Sequence, residues 1–306
     1  VPTWRRTLTA AGITEAPVRA VYTAAARRVL RREQAPYLAL RLLAEPALVP
    51  YLAAGLAFMN LVDDVAESGS VEQRTAGLRR LGERTAEALS SGHSADPVLA
   101  AYAHAVAARA LPLSWVSSFL EGAAAVEASF AGFETDRDYQ AYLDDYACPG
   151  LLVFAGLQYE GGPDARAAAG WRRFVDAAQR VDFLADLAGD LGDGRLCIPR
   201  EQLDRYGVTR RQLEQGADTE AVRALLAELC GQARAALEGS RDVIGLSAPG
   251  LRPVVQVMAE LMECQLRAVE RAGAGALRRD VGYGVVAPLR VLARARRDAG
   301  RSLRAG

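Results

Sequence analysis

The 306-residue chain is 51% hydrophobic and 24% charged, and its 37 basic and 37 acidic residues cancel to a formal net charge of zero. It lacks the basic footprint that nucleic-acid binding leaves. Every basic residue is arginine, which excludes a lysine Schiff base and a Gly-Lys-Ser/Thr phosphate loop. Apolar residues recur at helical spacing along nearly the whole chain, and no alternating run suggests a strand. Residues 14–33 put Val18, Val21, Tyr22, Ala25 and Val29 on one face. Residues 49–67 predict a mostly buried helix with Pro46 and Pro50 near its start. An amphipathic helix over 71–90 ends at Ser91-Gly92, and helices over 97–110 and 114–130 follow. Residues 138–159 are helical in pattern but broken or kinked near Pro149-Gly150. A helix over 165–191 comes next, then short ones over 200–206 and 209–215. Long helices over 219–246 and 253–273 precede a last one over 284–297. No low-complexity linker or fixed repeat divides the chain, so residues 1–306 read as one all-α domain.

The four cysteines, Cys148, Cys197, Cys230 and Cys264, lie far apart, which disfavours a zinc site or a disulfide framework. They read as free thiols of a cytoplasmic protein. With only His93 and His104 present, a histidine-based metal site or triad is improbable. The first twenty residues show no apolar leader. The longest apolar run, 48–62, is shorter than the roughly 20 residues a membrane-spanning helix needs, so no transmembrane segment is expected. Peripheral membrane contact stays open.

Chemistry concentrates in two acidic segments. Asp182, Asp186 and Asp190 fall at i, i+4 and i+8, a spacing that puts all three carboxylates on one helix face. Like charges so spaced cost a helix roughly 0.2–0.5 kcal/mol per pair, and the residues between them are Phe, Leu, Ala and Gly. Aligned carboxylates in apolar surroundings call for a cation. Oxygen-only ligands suit Mg²⁺, which usually keeps coordination places for substrate phosphates. Upstream, the apolar run ends in Asp63-Asp64, with Glu67 at i+4 from Asp63. Asp63, Glu67, Asp186 and Asp190 are the candidate metal ligands. Asp144-Asp145 reads instead as a solvated face.

The segment Phe58-Met59-Asn60-Leu61-Val62-Asp63-Asp64-Val65-Ala66-Glu67 resembles the Phe-Cys-Arg-x-x-Asp-Asp-x-x-Asp motif of the squalene/phytoene synthase family. Gln179 through Pro199 resembles that family's Gln-x-x-Asn-x-x-Arg-Asp-x-x-x-Asp and its following Arg-Gly-Arg-x-Tyr-x-Pro. The match, from about Tyr37 to about Tyr283, covers most of the chain. It implies an isoprenoid-synthase-type helical bundle around a central cavity, Mg²⁺ as cofactor and a prenyl diphosphate as substrate. Asp182, Asp186 and Asp190 are then catalytic. Asp63, Asp64, Glu67, Gln179, Arg195, Tyr37, Tyr146, Phe58, Phe183 and Arg279 are candidates for substrate binding.

The departures narrow the reaction. Asn60 and Ala185 stand where the family usually has arginine, Asp182 where it has asparagine, and Cys197 where it has tyrosine. Guanidinium groups suit diphosphates. Losing two points to one prenyl diphosphate and a neutral aromatic acceptor, as in the squalene-synthase-like prenyltransferases of carbazole alkaloids. Pro149, Tyr146 and Leu151 replace small family residues and favour a short C5 or C10 chain. The alternatives are head-to-head condensation of two prenyl diphosphates, a class I terpene cyclase (whose second metal motif is missing) and an inactive member acting as a binding or assembly factor. The sequence fixes neither the acceptor nor the oligomeric state.

Overall fold

The computed structural model describes residues 2–284, 288, 290–295 and 297. Every long element is a helix, and among the described residues the only β-type pairing is an isolated bridge between Gly132 and Leu196. The N-terminal third comprises α1 (Trp4–Ala10), α2 (Ala16–Arg32), α3 (Gln34–Leu43), α4 (Val49–Ala66) and α5 (Val71–Ser91). Two of these, α1 and α3, were not predicted. In α3 the start is masked by Pro36, which is tolerated because a first-turn N–H needs no intrahelical partner. Ser70 and Gln73 form a capping box at the start of α5, and Gly92, at φ 73°, ends it. By length and composition α4 could cross a membrane, yet it is mostly buried and packs against α2, α6 (Pro97–Arg109) and α9 (Cys148–Ala155).

The middle of the chain contains α7 (Leu113–Ala125), α8 (Asp136–Tyr142) and α9. Between α8 and α9 the expected interruption falls just before Pro149-Gly150. There the helix widens into a π turn, Leu143–Ala147, where the Cys148 N–H bonds the Leu143 carbonyl. Pro149 has no N–H to offer Asp145, four residues back. The Asp145 carbonyl oxygen approaches α7 so closely that a Cβ on Gly122 would lie 2.0 Å from it.

The predicted helix over 165–191 is two helices, α10 (Ala165–Ala185) and α11 (Leu187–Gly192), interrupted at Asp186. Short helices α12 (Arg200–Tyr206) and α13 (Arg210–Glu214) follow, then α14 (Glu220–Gly239), α15 (Val243–Leu246) and α16 (Arg252–Ala272). The single helix expected over 219–246 is therefore α14 plus α15. Of the segment 284–297, residues 288, 290–295 and 297 are helical, and the others after Gly284 lie outside the described residues.

Two apolar cores result. The larger joins α2, α4, α6, α7 and α9. The smaller gathers α11 to α14. Both α10 and α16 run through the two: Trp171, Phe174 and Val255 belong to the first, and Val181, Leu184 and Leu266 to the second. Met262 packs against both. Two adjoining cavities lie at the seam where these two helices pass from one core to the other.

Candidate active site

An apolar chamber of about 400 Å³ opens between α4, α7, α9, α10 and α16, with Met59, Asp63, Phe119, Tyr146, Leu151 and Met262 in its wall. A second chamber of about 670 Å³ is walled by Asp182, Asp186, Gln265, Asp280 and Tyr283. The two share Ala178, Gln179, Leu261 and Met262, so Gln179 stands at their junction. The apolar chamber thus carries Asp63 of the first acidic segment, and the adjoining one carries Asp182 and Asp186 of the second.

In the first segment, α4 divides its carboxylates. Asp64 pairs with Arg28 and Arg32 of α2, and Glu67, exposed at the C-cap of α4, lies 3.7 Å from Arg32. Asp63 turns to the chamber without an ion pair among the described residues. Burial pushes its carboxyl up to about 7; the Glu67 charge adds to the rise, and Arg32 partly opposes it. Asn60, one turn earlier, is fully buried with its Nδ2 lacking a hydrogen-bond partner. Tyr146 reaches the same region from the π turn, a distortion frequent at functional sites. Its ring lies 5.7 Å from Phe119, and burial together with Asp63 and Glu127 raises its hydroxyl pKa.

In the second segment the interruption at Asp186 removes the predicted single stripe. Asp182 and Asp186 face the chamber. Asp182 is open to the chamber by area yet surrounded by protein, and this desolvation, with Asp186 and Asp190 nearby, raises it to about 6. Asp186 is raised by desolvation, Asp280 and Asp190 in that order. Asp190 turns elsewhere: it accepts a hydrogen bond from the Cys197 thiol at 3.0 Å and lies 3.8 Å from Arg195. Burial and that bond push the Cys197 pKa well up, so the thiol stays protonated and donates.

A residue that sequence reasoning passed over links the two segments. Glu127, just after α7, accepts hydrogen bonds from Tyr142 at 3.0 Å and from Arg195 at 3.1 Å. Burial raises its pKa although Arg195 lowers it. The Arg195 guanidinium lies 5.0 Å from the Phe130 ring centre, and its buried Nε has no hydrogen-bond partner. An acid inside the otherwise apolar run 122–128 was the available signal. Arg28 and Arg32, at i and i+4 of α2, were likewise legible as a basic face. Asp280, in a loop, carried no pattern.

Other expectations need correction. Phe58 is fully enclosed, stacked on Tyr102 with centroids 4.0 Å apart, and is core rather than cavity wall. Phe183 packs among Phe133, Tyr139 and Tyr142, on another side of α10 from Asp182. Pro149 is absent from the chamber wall, unlike Tyr146 and Leu151. Tyr37 packs half-buried from α3 against the larger core. Arg279 is exposed and makes no ion pair among the described residues. Asp144 pairs with Arg172 at 2.8 Å on the surface, as a solvated face would.

The donor set suits Mg²⁺ in kind. Asp63, Asp182 and Asp186 are hard oxygen ligands with raised pKa values and, among the described residues, no ion-pair partner. No three acidic, histidine or cysteine side chains already converge as a ligand set among those residues. The fit is therefore one of chemistry and charge.

The sequence profile of the squalene/phytoene synthase family matches residues 5–287. The chain is 28% identical over 219 residues to a Streptomyces coelicolor protein named bifunctional protein CrtB/UppS, covering 71% of this chain and 38% of that one. It is 29% identical over 168 residues to a phytoene synthase of Mycobacterium tuberculosis, covering 54% of this chain and 53% of the relative. The chain thus spans about two fifths to a half of the length of these relatives. Among solved structures, a dehydrosqualene synthase in complex with ligand superposes with TM-score 0.79 at 20% identity, covering 93% of this chain and 98% of the other. Squalene synthase HpnC from Alicyclobacillus acidocaldarius superposes with TM-score 0.75 at 22% identity, covering 86% and 98%. At these identities the superpositions establish the fold: an all-α, squalene-synthase-type bundle.

Proposed function

The chain belongs to the squalene/phytoene synthase family, whose members are prenyl-transferring enzymes, and from that premise we propose that it moves a dimethylallyl or geranyl group from its diphosphate to a carbon of a neutral aromatic acceptor such as indole or carbazole. The observation that carries this reading is the absence of guanidinium at two buried positions, Asn60, one turn before Asp63 on α4, and Ala185, in the wall of the acidic chamber. A second diphosphate, beyond the one the metal neutralises, would find no guanidinium at either position and would be a buried charge without compensation. A flat, uncharged ring meets Phe119, Tyr146, Met59 and Met262 instead.

In this reading the diphosphate lies in the acidic chamber. Asp182 and Asp186 would hold Mg²⁺, with Asp63 and Glu67 as further ligands from the first segment. The metal, when bound, neutralises charge on the leaving pyrophosphate. Arg279, exposed and without an ion partner, is the guanidinium we assign to a diphosphate oxygen. As the allylic C–O bond breaks, the faces of Phe119 and Tyr146 stabilise the cation, and the apolar wall keeps water away. The new C–C bond forms at the ring position of highest π density. The released pyrophosphate, or Asp182 where it is not on the metal, takes the ring proton. We assign all of this to one domain, because α10 and α16 belong to both cores. With all four cysteines unpaired, we place it in the cytoplasm.

One observation favours a second reading. Arg28 and Arg32 stand beside Asp64 and Glu67, so two guanidiniums border the first acidic segment after all. They could receive a second diphosphate, as head-to-head coupling requires. Incubation with C5, C10, C15 and C20 diphosphates and Mg²⁺, with and without indole or carbazole, separates the two by mass spectrometry. A prenylated ring is the expected product. A C30 or C40 hydrocarbon from farnesyl or geranylgeranyl diphosphate alone, with no ring prenylated, overturns the aromatic acceptor.

A further inference from the structure

Asp186 is the residue at which α10 stops and α11 starts, so it occupies the N-cap position of α11. An aspartate there normally turns its carboxylate back to accept the N–H of the second or third helical residue. Asp186 does not: no side-chain cap bond is made from it. The N–H it would take, that of Gly189, is donated at 2.8 Å to Asp280, ninety-one residues further along the chain. The next residue completes the exchange. The Val281 N–H bonds the Ala185 carbonyl at 2.8 Å, the group to which Gly189 would donate in an unbroken helix. The segment 278–281 is pinned on either side of these contacts. The Arg278 guanidinium donates to the Gly216 carbonyl at 3.0 Å, and Gln265 donates to the Val281 carbonyl. Gly189 fits its place: a Cβ there would lie 3.0 Å from the Asp280 carboxylate.

We propose that Asp280 is a positioning residue that caps α11 in place of Asp186 and thereby leaves the Asp186 carboxylate free for the diphosphate chamber. The inference rests on the functional reading above for what Asp186 does, but not for how Asp280 holds it. Without Asp280, the Asp186 carboxylate stands at the N-cap position whose usual bond is to the N–H of the third helical residue, Gly189. That carboxylate then folds back onto α11 and leaves the chamber. Stability is largely kept, because one cap replaces another. Activity is not. A plain structural role for Asp280 would give the reverse pattern.

Three single variants, Asp280→Ala, Asp280→Asn and Asp186→Ala, and the double variant Asp186→Ala/Asp280→Ala test this. Pyrophosphate release from geranyl diphosphate and from farnesyl diphosphate is followed with Mg²⁺, alongside thermal unfolding in EDTA. Asp280→Ala is expected to lower kcat by about 10- to 100-fold, the usual cost of losing a partner behind a ligating side chain, with little change in Tm. Asp280→Asn keeps an acceptor oxygen for Gly189 and is expected to stay within about threefold of the unaltered protein. In Asp186→Ala/Asp280→Ala the Gly189 N–H loses both acceptors. The double variant should therefore unfold at a lower temperature than the two single shifts add up to. Asp280→Asn as damaging as Asp280→Ala, or additive shifts in Tm, would overturn the proposal. No pyrophosphate release by the unaltered protein would instead sink the functional reading, and the Tm cycle would still decide the cap.

Discussion

Asp64 and Glu67 face two arginines of α2, whereas Asp182 and Asp186 face other carboxylates. Both segments are acidic and both close a helix, yet Asp64 and Glu67 have their charge answered from within the protein and Asp182 and Asp186 do not. Asp63 stands between the two cases. It shares a helix with the paired residues, but its side chain enters the chamber, and its pKa near 7 reflects burial that Arg32 only partly offsets. Where a carboxylate already has an arginine, losing the carboxylate costs an ion pair. Where it has only like charges around it, its retention makes physical sense if a cation arrives from outside.

The largest effect should separate the two segments directly. Asp186→Ala is expected to lower Mg²⁺-dependent pyrophosphate release by roughly 10²–10³-fold, the scale of losing one preorganised electrostatic group at a reacting centre. Asp64→Asn should cost less than about tenfold, because its partners are Arg28 and Arg32 rather than the chamber. Steady-state kinetics on geranyl diphosphate decides. Equal losses for both would erase the distinction.

Asp63 gives the next largest effect, and it is one of stability. In the unfolded chain its carboxyl titrates near 3.8, in the folded protein near 7. Between these values the folded state keeps a proton that the unfolded state releases. Stability from this group is therefore full below about pH 4 and is lost as pH rises through 7. Asp63→Asn should leave the metal-free protein little changed at pH 4 and more stable by about 1–3 kcal/mol at pH 8. Urea unfolding in EDTA at the two pH values measures it. A variant less stable than the parent at pH 8 would show that Asp63 is satisfied by a contact the structure lacks.

How much of this was legible in the sequence follows from the range of the forces involved. The period of apolar residues is local, so α2, α4, α5 and α6 were readable from Val18 to Val29, from Leu52 to Val62 and onward. The acidic residues were readable for the same reason, since i, i+4 spacing is a property of one helix. The break at Asp186 was not, because the groups that take up its freed hydrogen bonds, Asp280 and Val281, arrive from another part of the chain. The misassignment of Phe58 and Phe183 has a related origin. Both lie beside acidic motifs in sequence, but a helix turns about 100° per residue, so the neighbour of a cavity-facing residue points elsewhere. Glu127 became meaningful only once Arg195 and Tyr142 were seen against it.

Cys197 offers a smaller test on the second segment. It is the donor that, with Arg195, holds Asp190 away from Asp186. Cys197→Ala leaves the Asp190 oxygen without that donor and should cost about 0.5–1.5 kcal/mol of stability, the range of an ordinary hydrogen bond. Cys197→Ser keeps a donor and should cost less. If the two unfold alike in urea, the thiol contributes by filling space and not by its bond.

Arg32 should give the smallest change in stability and the clearest change in charge. Its contacts with Asp64 and Glu67 are partly exposed, with side chains from 39% to 62% accessible. Ion pairs of that kind are worth about 0–1 kcal/mol, and Arg28 still holds Asp64 when Arg32 is gone. Arg32→Ala should therefore shift Tm little at pH 5. It also removes a cation that lowers the Asp63 pKa. That carboxyl should then titrate above 7, and the pH at which its stabilising proton is lost should rise with it. NMR titration of the Asp63 carboxyl in the metal-free protein, compared between parent and variant, reads the shift directly. An unmoved titration would mean that the field of α2 ends at Asp64 and that the first segment is divided even more sharply than the ion pairs indicate. A shift upward would make Arg32 the residue through which the neutralised half of that segment moderates the half that faces the chamber.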